Sequence, residues 1–593
     1  MTEPHEEESR FSSSDWSYVR RLLGYMMIHK RWFYLSLILY PLSALSIVIP
    51  PYLVQQILDV AIPTRDMDLF YILALVYLAS VLGEYVTGFM SQLSMSILGQ
   101  RSVLTLRTEL YTHVQKMSAS FYDRNPIGKT LTRLTNDTES LAEVFATGAV
   151  TILADVVILI GIVSAMLIMD VKLTLFAFIT LPVLIALVVF MQRKARVAFR
   201  SVRGLLARIN AFLAEHLAGM SVVQAFVQQD RTSDEFEELN RQYRDANRDA
   251  ILVDSALFSI VEALGTFTVA ILIWLGAVDL STGVVGAGTL VAFIQYIRRF
   301  FVPIRDLSAK FTMLQQAFAS CERIFSLLDE PIELAEKENA RPLSEMKETI
   351  RLRDVSFYYK RDEHGEPDWV LKNVNLTFKR GEQVALVGPT GSGKTTILKL
   401  LNRLYDVQKG AIEIDGVDLK ELQLAHVRKL YAVVLQDVFL FAGTIMENLS
   451  LGGLVSDDDV IKAARAVQAD SFIMRLPDGY QTQVQELGSN FSAGERQLLA
   501  FARALALDPE VLVLDEATSN VDSATEERLQ QALEMLLKDR TAICVAHRLS
   551  TIREVDRIIV LKHGEVQDEG THEELMSRPG LYQKLAKLHF EAA

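Results

Sequence analysis

From residue 32 to residue 58 the chain carries no charged side chain. A water-soluble core has no use for an apolar run of that length, whereas the hydrocarbon layer of a bilayer takes roughly 20 apolar residues in a helix. Five further runs follow in the first half of the 593 residues, at 69–100, 141–169, 173–192, 256–278 and 284–302. Pro41, Pro50 and Pro51 bend the first run; Arg298 and Arg299 interrupt the sixth, which also begins among glycines. Six spans are the expectation, and with them an integral membrane protein.

Lys and Arg gather on the cytoplasmic side of a membrane protein, so they set the expected orientation. Arg20, Arg21, Lys30 and Arg31 precede the first run, basic residues fill 101–133 and 193–248, and Arg298, Arg299, Arg305 and Lys310 close the last. The alternate connections, 59–68, 170–172 and 279–283, are short and nearly free of them. Both termini and both long connections are therefore expected in the cytoplasm, with a bacterial cell membrane as the expected setting. Within 193–229 the apolar residues Val197, Phe199, Val202, Leu205, Leu206, Ile209, Phe212 and Leu213 recur at helical spacing. Each long connection thus reads as two spans continuing outward as helices joined by a short cross-helix; the competing reading is a separate soluble insertion. Residues 16–27 suit an interfacial helix anchored by Trp16, Tyr18 and Tyr25. Residues 1–15 form a polar, acidic tail without the basic start and apolar stretch of a secretory signal.

Glu84, Asp155 and Glu262 fall inside the apolar runs. Ionisable groups are costly there and default to function. They line a substrate cavity and bind a cationic compound, or they hydrogen-bond between helices; the sequence leaves both open. The formal charge of −13 excludes a nucleic-acid partner, which needs a basic surface. Cys321 and Cys544 are the only cysteines and stand far apart, so no disulfide framework is expected.

After a linker at 331–348 the pattern changes to short β runs, turns and helices over 349–593. The strand 384–387 runs directly into Gly388-Pro-Thr-Gly-Ser-Gly-Lys-Thr395, a phosphate-binding loop in its strand–loop–helix setting. Its glycines let backbone N–H groups wrap phosphates, Lys394 neutralises the terminal phosphates and the Thr395 hydroxyl ligates Mg²⁺. A second apolar strand, 511–514, ends in Asp515 and Glu516. Asp515 suits the Mg²⁺ shell, and Glu516 is placed to orient the attacking water, since phosphoryl transfer depends on positioning and charge.

Phe491-Ser-Ala-Gly-Glu-Arg-Gln497, lying before Leu514-Asp-Glu-Ala-Thr-Ser, resembles the signature motif of the ABC transporter superfamily. The resemblance covers nearly the whole chain and points to an exporter half-transporter of the multidrug or lipid type. It implies an α-helical six-span membrane domain (16–330) with long cytoplasmic helical extensions, then an α/β phosphate-loop ATPase domain with a helical subdomain carrying the signature. By the same resemblance, Tyr359 stacks on adenine, with Tyr358 the other register. ATP is wrapped by Gly388, Pro389, Thr390, Gly391, Ser392, Gly393, Lys394, Thr395 and Thr396; Gln436 contacts Mg²⁺ with Thr395 and Asp515; and His547 holds the γ-phosphate beside the catalytic Glu516. Residues 519–522 resemble the loop that crosses to the other subunit. Segments 118–128 and 218–224 would dock on the nucleotide domains.

The resemblance also implies that Ser492, Ala493, Gly494 and Glu495 close over ATP held by a second half-transporter, so that nucleotide binding joins two chains and hydrolysis releases them. The superfamily's Leu-Ser-Gly-Gly-Gln is here Phe491, Ser492, Ala493, Gly494 and Glu495, and the last change adds a negative charge near an anion. An intact loop with an altered signature favours a heterodimer over a homodimer. The expected activity is ATP-driven export of amphipathic compounds, drugs or lipids, with membrane lipid as surroundings. A lipid or glycolipid flippase and an ATP-gated channel or regulator are the rivals.

Overall fold

Apolar residues that leave backbone groups no water to bond with must satisfy them internally, which in a single segment means a helix. The computed structural model describes every residue except 1–12, 148, 282–284, 335, 338, 363, 516–522, 546–548 and 591–593. In its first unit, residues Met1–Gln115 and Ile127–Glu330, the described residues form helices joined by short turns, with no strand among them. Six long helices carry the apolar runs: α1, Lys30–Gln56; α2, Met67–Gln115; α3, Ala149–Met169; α4, Leu181–Ala218; α5, Gln229–Ser281; and α6, Ala287–Leu328. Four stretches, Lys30–Thr64, Met67–Gln115, Val171–Ala218 and Gln229–Ala277, are long and apolar enough to cross a membrane. The third run has a shorter apolar stretch, Ala154–Met169, and the sixth opens α6, where Arg298, Arg299 and Pro303 dilute it.

At 1.5 Å per residue the 49 residues of α2 reach about 70 Å, more than twice a hydrocarbon layer of about 30 Å. The same excess holds for α5, with 53 residues. The long connections are therefore continuations of the span helices. The cross-helices are Ala119–Arg124 and Met220–Ala225. Around the second, Leu217, Val222, Phe226 and Val227 are all exposed.

The glycines at the start of the sixth run have a packing reason. The π-helical turn Ile57–Ala61 brings the Asp59 carboxylate onto the first turn of α6, where it accepts from the Gly288 and Thr289 N–H groups at 2.6 and 2.8 Å. A Cβ on Gly286 would meet that carboxylate at 2.2 Å, and one on Gly288 would meet the Gln55 carbonyl at 2.7 Å. The N-terminal helix Ser13–Ile28 also departs from expectation. Trp16 is exposed, but Tyr18 and Tyr25 stack on Phe325 near the end of α6, at 5.9 and 6.4 Å, and Arg21 pairs with Asp329. Two of the three expected lipid anchors thus bind protein.

The second unit comprises Lys116–Pro126 and Pro331–Ala593. Its main sheet has six strands in the order Glu565–Gly570, Arg557–Lys562, Gln383–Val387, Thr541–Val545, Val511–Asp515, Tyr431–Val434. All neighbours are parallel except the first pair. The central strands are buried throughout and read as unbroken apolar runs, as a parallel sheet covered on both faces requires. A four-stranded antiparallel sheet, including Thr349–Arg361 and Pro367–Lys379, packs against one face through Phe357, Phe378, Ile350 and Leu371. Helix Ala493–Ala506 and its helical neighbours bury Phe491, Phe501 and Leu499 with Leu512 and Leu514 of the sheet.

Candidate nucleotide site

Ligands of an open parallel sheet sit beyond the carboxyl ends of its strands, and the phosphate-loop residues lie there. Strand Gln383–Val387 ends at Gly388, the loop follows, and helix Lys394–Leu401 begins directly after Gly393. Gly391 and Gly393 hold φ of +80° and +99°, a region that strains a side chain. At Gly388 the constraint is space, because a Cβ would meet the Leu561 carbonyl oxygen at 2.2 Å. The helix N-terminus thus points its free N–H groups into the loop, the arrangement that receives phosphate.

Lys394 is buried, and its Nζ donates to the Gly388 and Pro389 carbonyls at 2.7 and 3.1 Å. Burial lowers its pKa, and the neighbouring Asp515 carboxylate works the other way. The Ser392 hydroxyl is buried without a hydrogen-bond partner. An unmatched polar group costs free energy in a finished core and fits a site that receives oxygen ligands. The Thr395 Oγ1 stands 3.4 Å from Asp515 Oδ1, so residues 120 apart in sequence bring a hydroxyl and a carboxylate to one point. Such hard oxygen donors fit Mg²⁺.

Asp515 ends its strand opposite Val545, while Val434 pairs with Leu514, so three strands finish side by side. Gln436 follows the last of these two residues on and is exposed. Glu516, the 519–522 segment and His547 lie outside the described residues.

Of the two tyrosine registers, Tyr359 is the one joined to the phosphate loop's helix. Its hydroxyl is 3.2 Å from Thr396 Oγ1, the Lys399 ammonium lies 5.5 Å from its ring, and the residue is 40% exposed, leaving ring surface for a flat base. Tyr358 instead packs edge-on against Trp369 at 5.3 Å. The sequence reading missed Tyr405, whose ring meets that of Tyr359 at 5.3 Å and whose hydroxyl donates to Asp123. An aromatic just after the phosphate-loop helix was its only signal.

At the signature, Ser492 caps helix Ala493–Ala506 and Glu495 completes a capping box. The Glu495 carboxylate accepts from the Ser492 N–H and hydroxyl, both at 2.8 Å. Its charge, which counts against an anion, is favourable at a helix N-terminus. Gly494 is buried, Ser492 and Ala493 are exposed, and Phe491 fills the helical core.

The acids within the spans separate into two kinds. Glu84 pairs with Arg299 at 3.3 Å, and Arg299 also donates to the Ile47 carbonyl. Asp155 pairs with Lys310. Both carboxylates are thus matched by cations of α6. Glu262 has no hydrogen-bond or ion-pair partner among the described residues. It lines a shallow groove of about 600 Å³ on α5 with Phe258, Ser259, Thr266 and Phe267.

A phosphate loop at the edge of a parallel sheet, in a chain whose other half is built from helices long enough to cross a bilayer, defines a membrane-coupled ATPase. Comparison with known proteins gives the family. Residues 33–304 match the family model of the ABC transporter transmembrane region and residues 371–519 match that of the ABC transporter. An uncharacterized ABC transporter ATP-binding protein of Bacillus subtilis, YknV, is 38% identical over 98% of this chain and 96% of its own length. A probable multidrug resistance ABC transporter ATP-binding/permease protein of the same organism, YheH, is 38% identical over 86% of this chain and 75% of itself. The ATP-dependent lipid A-core flippase of Syntrophus aciditrophicus is 34% identical over 91% and 89%. A bacterial Atm1-family ABC exporter solved with ATP bound superposes with a TM-score of 0.76 at 26% identity, covering 95% of this chain and 98% of that one. The chain belongs to the ABC transporter family. It is an exporter subunit in which an ATPase is coupled to transport.

Proposed function

We propose that this chain is one half of an ATP-driven exporter of amphipathic compounds, working with a second half-transporter in a bacterial cell membrane with both termini and the ATPase domain in the cytoplasm. The observation that carries the reading is the meeting of Lys394, Thr395 and Asp515 at one sheet edge in a chain with bilayer-length helices. Thr395, Asp515 and Gln436 would hold Mg²⁺, which neutralises phosphate charge in the transition state. Tyr359 carries adenine; Glu516 aligns the attacking water; His547 contacts the γ-phosphate. Ser492 and Gly494 serve the ATP of the partner, and the exposed tip around Phe226 supplies an apolar surface for docking on a nucleotide domain. Relatives that handle multidrug, lipid A and fatty-acid cargo support an amphipathic substrate. Because Glu84 and Asp155 already have counter-ions, Glu262, flanked by Phe258 and Phe267, is the membrane carboxylate left to meet a cationic one.

Glu516→Gln tests the ATPase reading. In the assembled pair it should lower ATP turnover by about a hundredfold or more, the usual worth of a positioned base, while ATP still binds. Near-normal turnover would remove Glu516 from the mechanism.

A further inference from the structure

We propose that Tyr405 is a positioning residue that ties the adenine platform to the first cross-helix, so that nucleotide occupancy is felt at Asp123. The inference rests on the reading of Tyr359 as the adenine platform. Tyr405 is 7% exposed and lies on the turn after the phosphate-loop helix Lys394–Leu401. Its ring meets Tyr359 edge-on at 5.3 Å and Phe357 at 5.6 Å. The Lys399 ammonium stands 6.0 Å from the Tyr405 ring and 5.5 Å from that of Tyr359, joining the two aromatic faces. The hydroxyl leaves this cluster to donate to the carboxylate of Asp123, on helix Ala119–Arg124. Burial, and then that acceptor, raise the Tyr405 pKa, so the group stays a protonated donor at physiological pH.

Packing alone does not account for a tyrosine here. The cluster needs the ring; only Asp123 needs the hydroxyl. The same cross-helix is held to the linker by Arg124 and Ser118, which donate to Glu333 at 2.6 and 2.8 Å. With one end so fixed, a shift of the Tyr359–Tyr405 pair on adenine binding is passed to Asp123 through a buried ring that has no room to yield. Coupling of this kind is a claim about free energy between sites, and a double-mutant cycle measures it.

The experiment uses the assembled transporter with Glu516→Gln to prevent hydrolysis. A spin label is placed through Gly128→Cys, where a Cβ meets nothing within 4 Å, and at the matching position of the partner chain; both native cysteines are buried. ATP binding is read with a fluorescent ATP analogue, and tip closure from the label distance as ATP is titrated. Tyr405→Phe and Asp123→Asn should each lower the ratio of closed to open tips at saturating ATP by about tenfold, the loss of one hydrogen bond to a charged group, while the analogue still saturates the complex. The double variant should equal either single. An unchanged ratio, effects that multiply, or a complex that the analogue no longer saturates would each overturn the proposal. If Tyr405→Phe fails to assemble, Asp123→Asn, on an exposed position, carries the test. Tyr359→Ala separates the premise: unchanged affinity for the analogue removes the adenine platform whatever the tips do.

Discussion

Glu495 sits where two demands conflict. A helix N-terminus welcomes a carboxylate, and Glu495 meets that demand by bonding the Ser492 N–H and hydroxyl. The same hydroxyl is the group that a γ-phosphate from the partner would need. Glu495→Gln keeps an acceptor for the backbone and removes the charge. It should cost about 0.3–1 kcal/mol in thermal unfolding and raise affinity for ATP at the partner's loop about threefold or more. Equal affinity in the two forms would mean that the carboxylate does not compete. At this scale the sequence was most legible where function is contiguous: the eight residues of the phosphate loop carry their own geometry. It was least legible where function is assembled, as with Tyr405 and Asp123, 282 residues apart.

Among the elements, the sixth apolar run shows why the reading of the membrane half was incomplete. Arg298 and Arg299 interrupt it, yet Arg299 is the counter-ion of Glu84, and Lys310 further along the same helix is that of Asp155. Charges that look like defects in one helix are matched across the bundle, and a linear pattern does not reveal a partner 215 residues away. The glycines that obscured the start of α6 likewise answer to Asp59. The extension of α4 beyond its apolar run was legible because the helical spacing from Val197 to Leu213 is local. Glu84→Gln should strand Arg299 among apolar neighbours and destabilise the membrane unit by about 1–3 kcal/mol. Thermal unfolding in detergent checks this, and Glu84→Gln with Arg299→Gln should recover part of the loss. A single variant as stable as the parent would make the pair incidental.

For the whole molecule, the question is which of two ATP sites does the work. On the proposed function each ATP site is built from one chain's phosphate loop and the other chain's signature, so this chain would contribute to both unequally. On that reading it would bring Lys394, Thr395, Asp515, Glu516 and His547 to one, and a signature already tied down by Glu495 to the other. The asymmetry has meaning only if the second chain differs, since a homodimer would repeat the same compromise in both sites. The two assemblies respond differently to one substitution. In a heterodimer, Ser492→Ala should lower ATP hydrolysis by less than about twofold, because turnover runs at the other site, while Glu516→Gln in the same chain removes nearly all of it. In a homodimer both sites depend on Ser492, and its loss should cost about a hundredfold, as removal of a transition-state donor does elsewhere. Initial rates of the two variants, each in the complex isolated from its own cell, distinguish the assemblies without knowledge of the cargo.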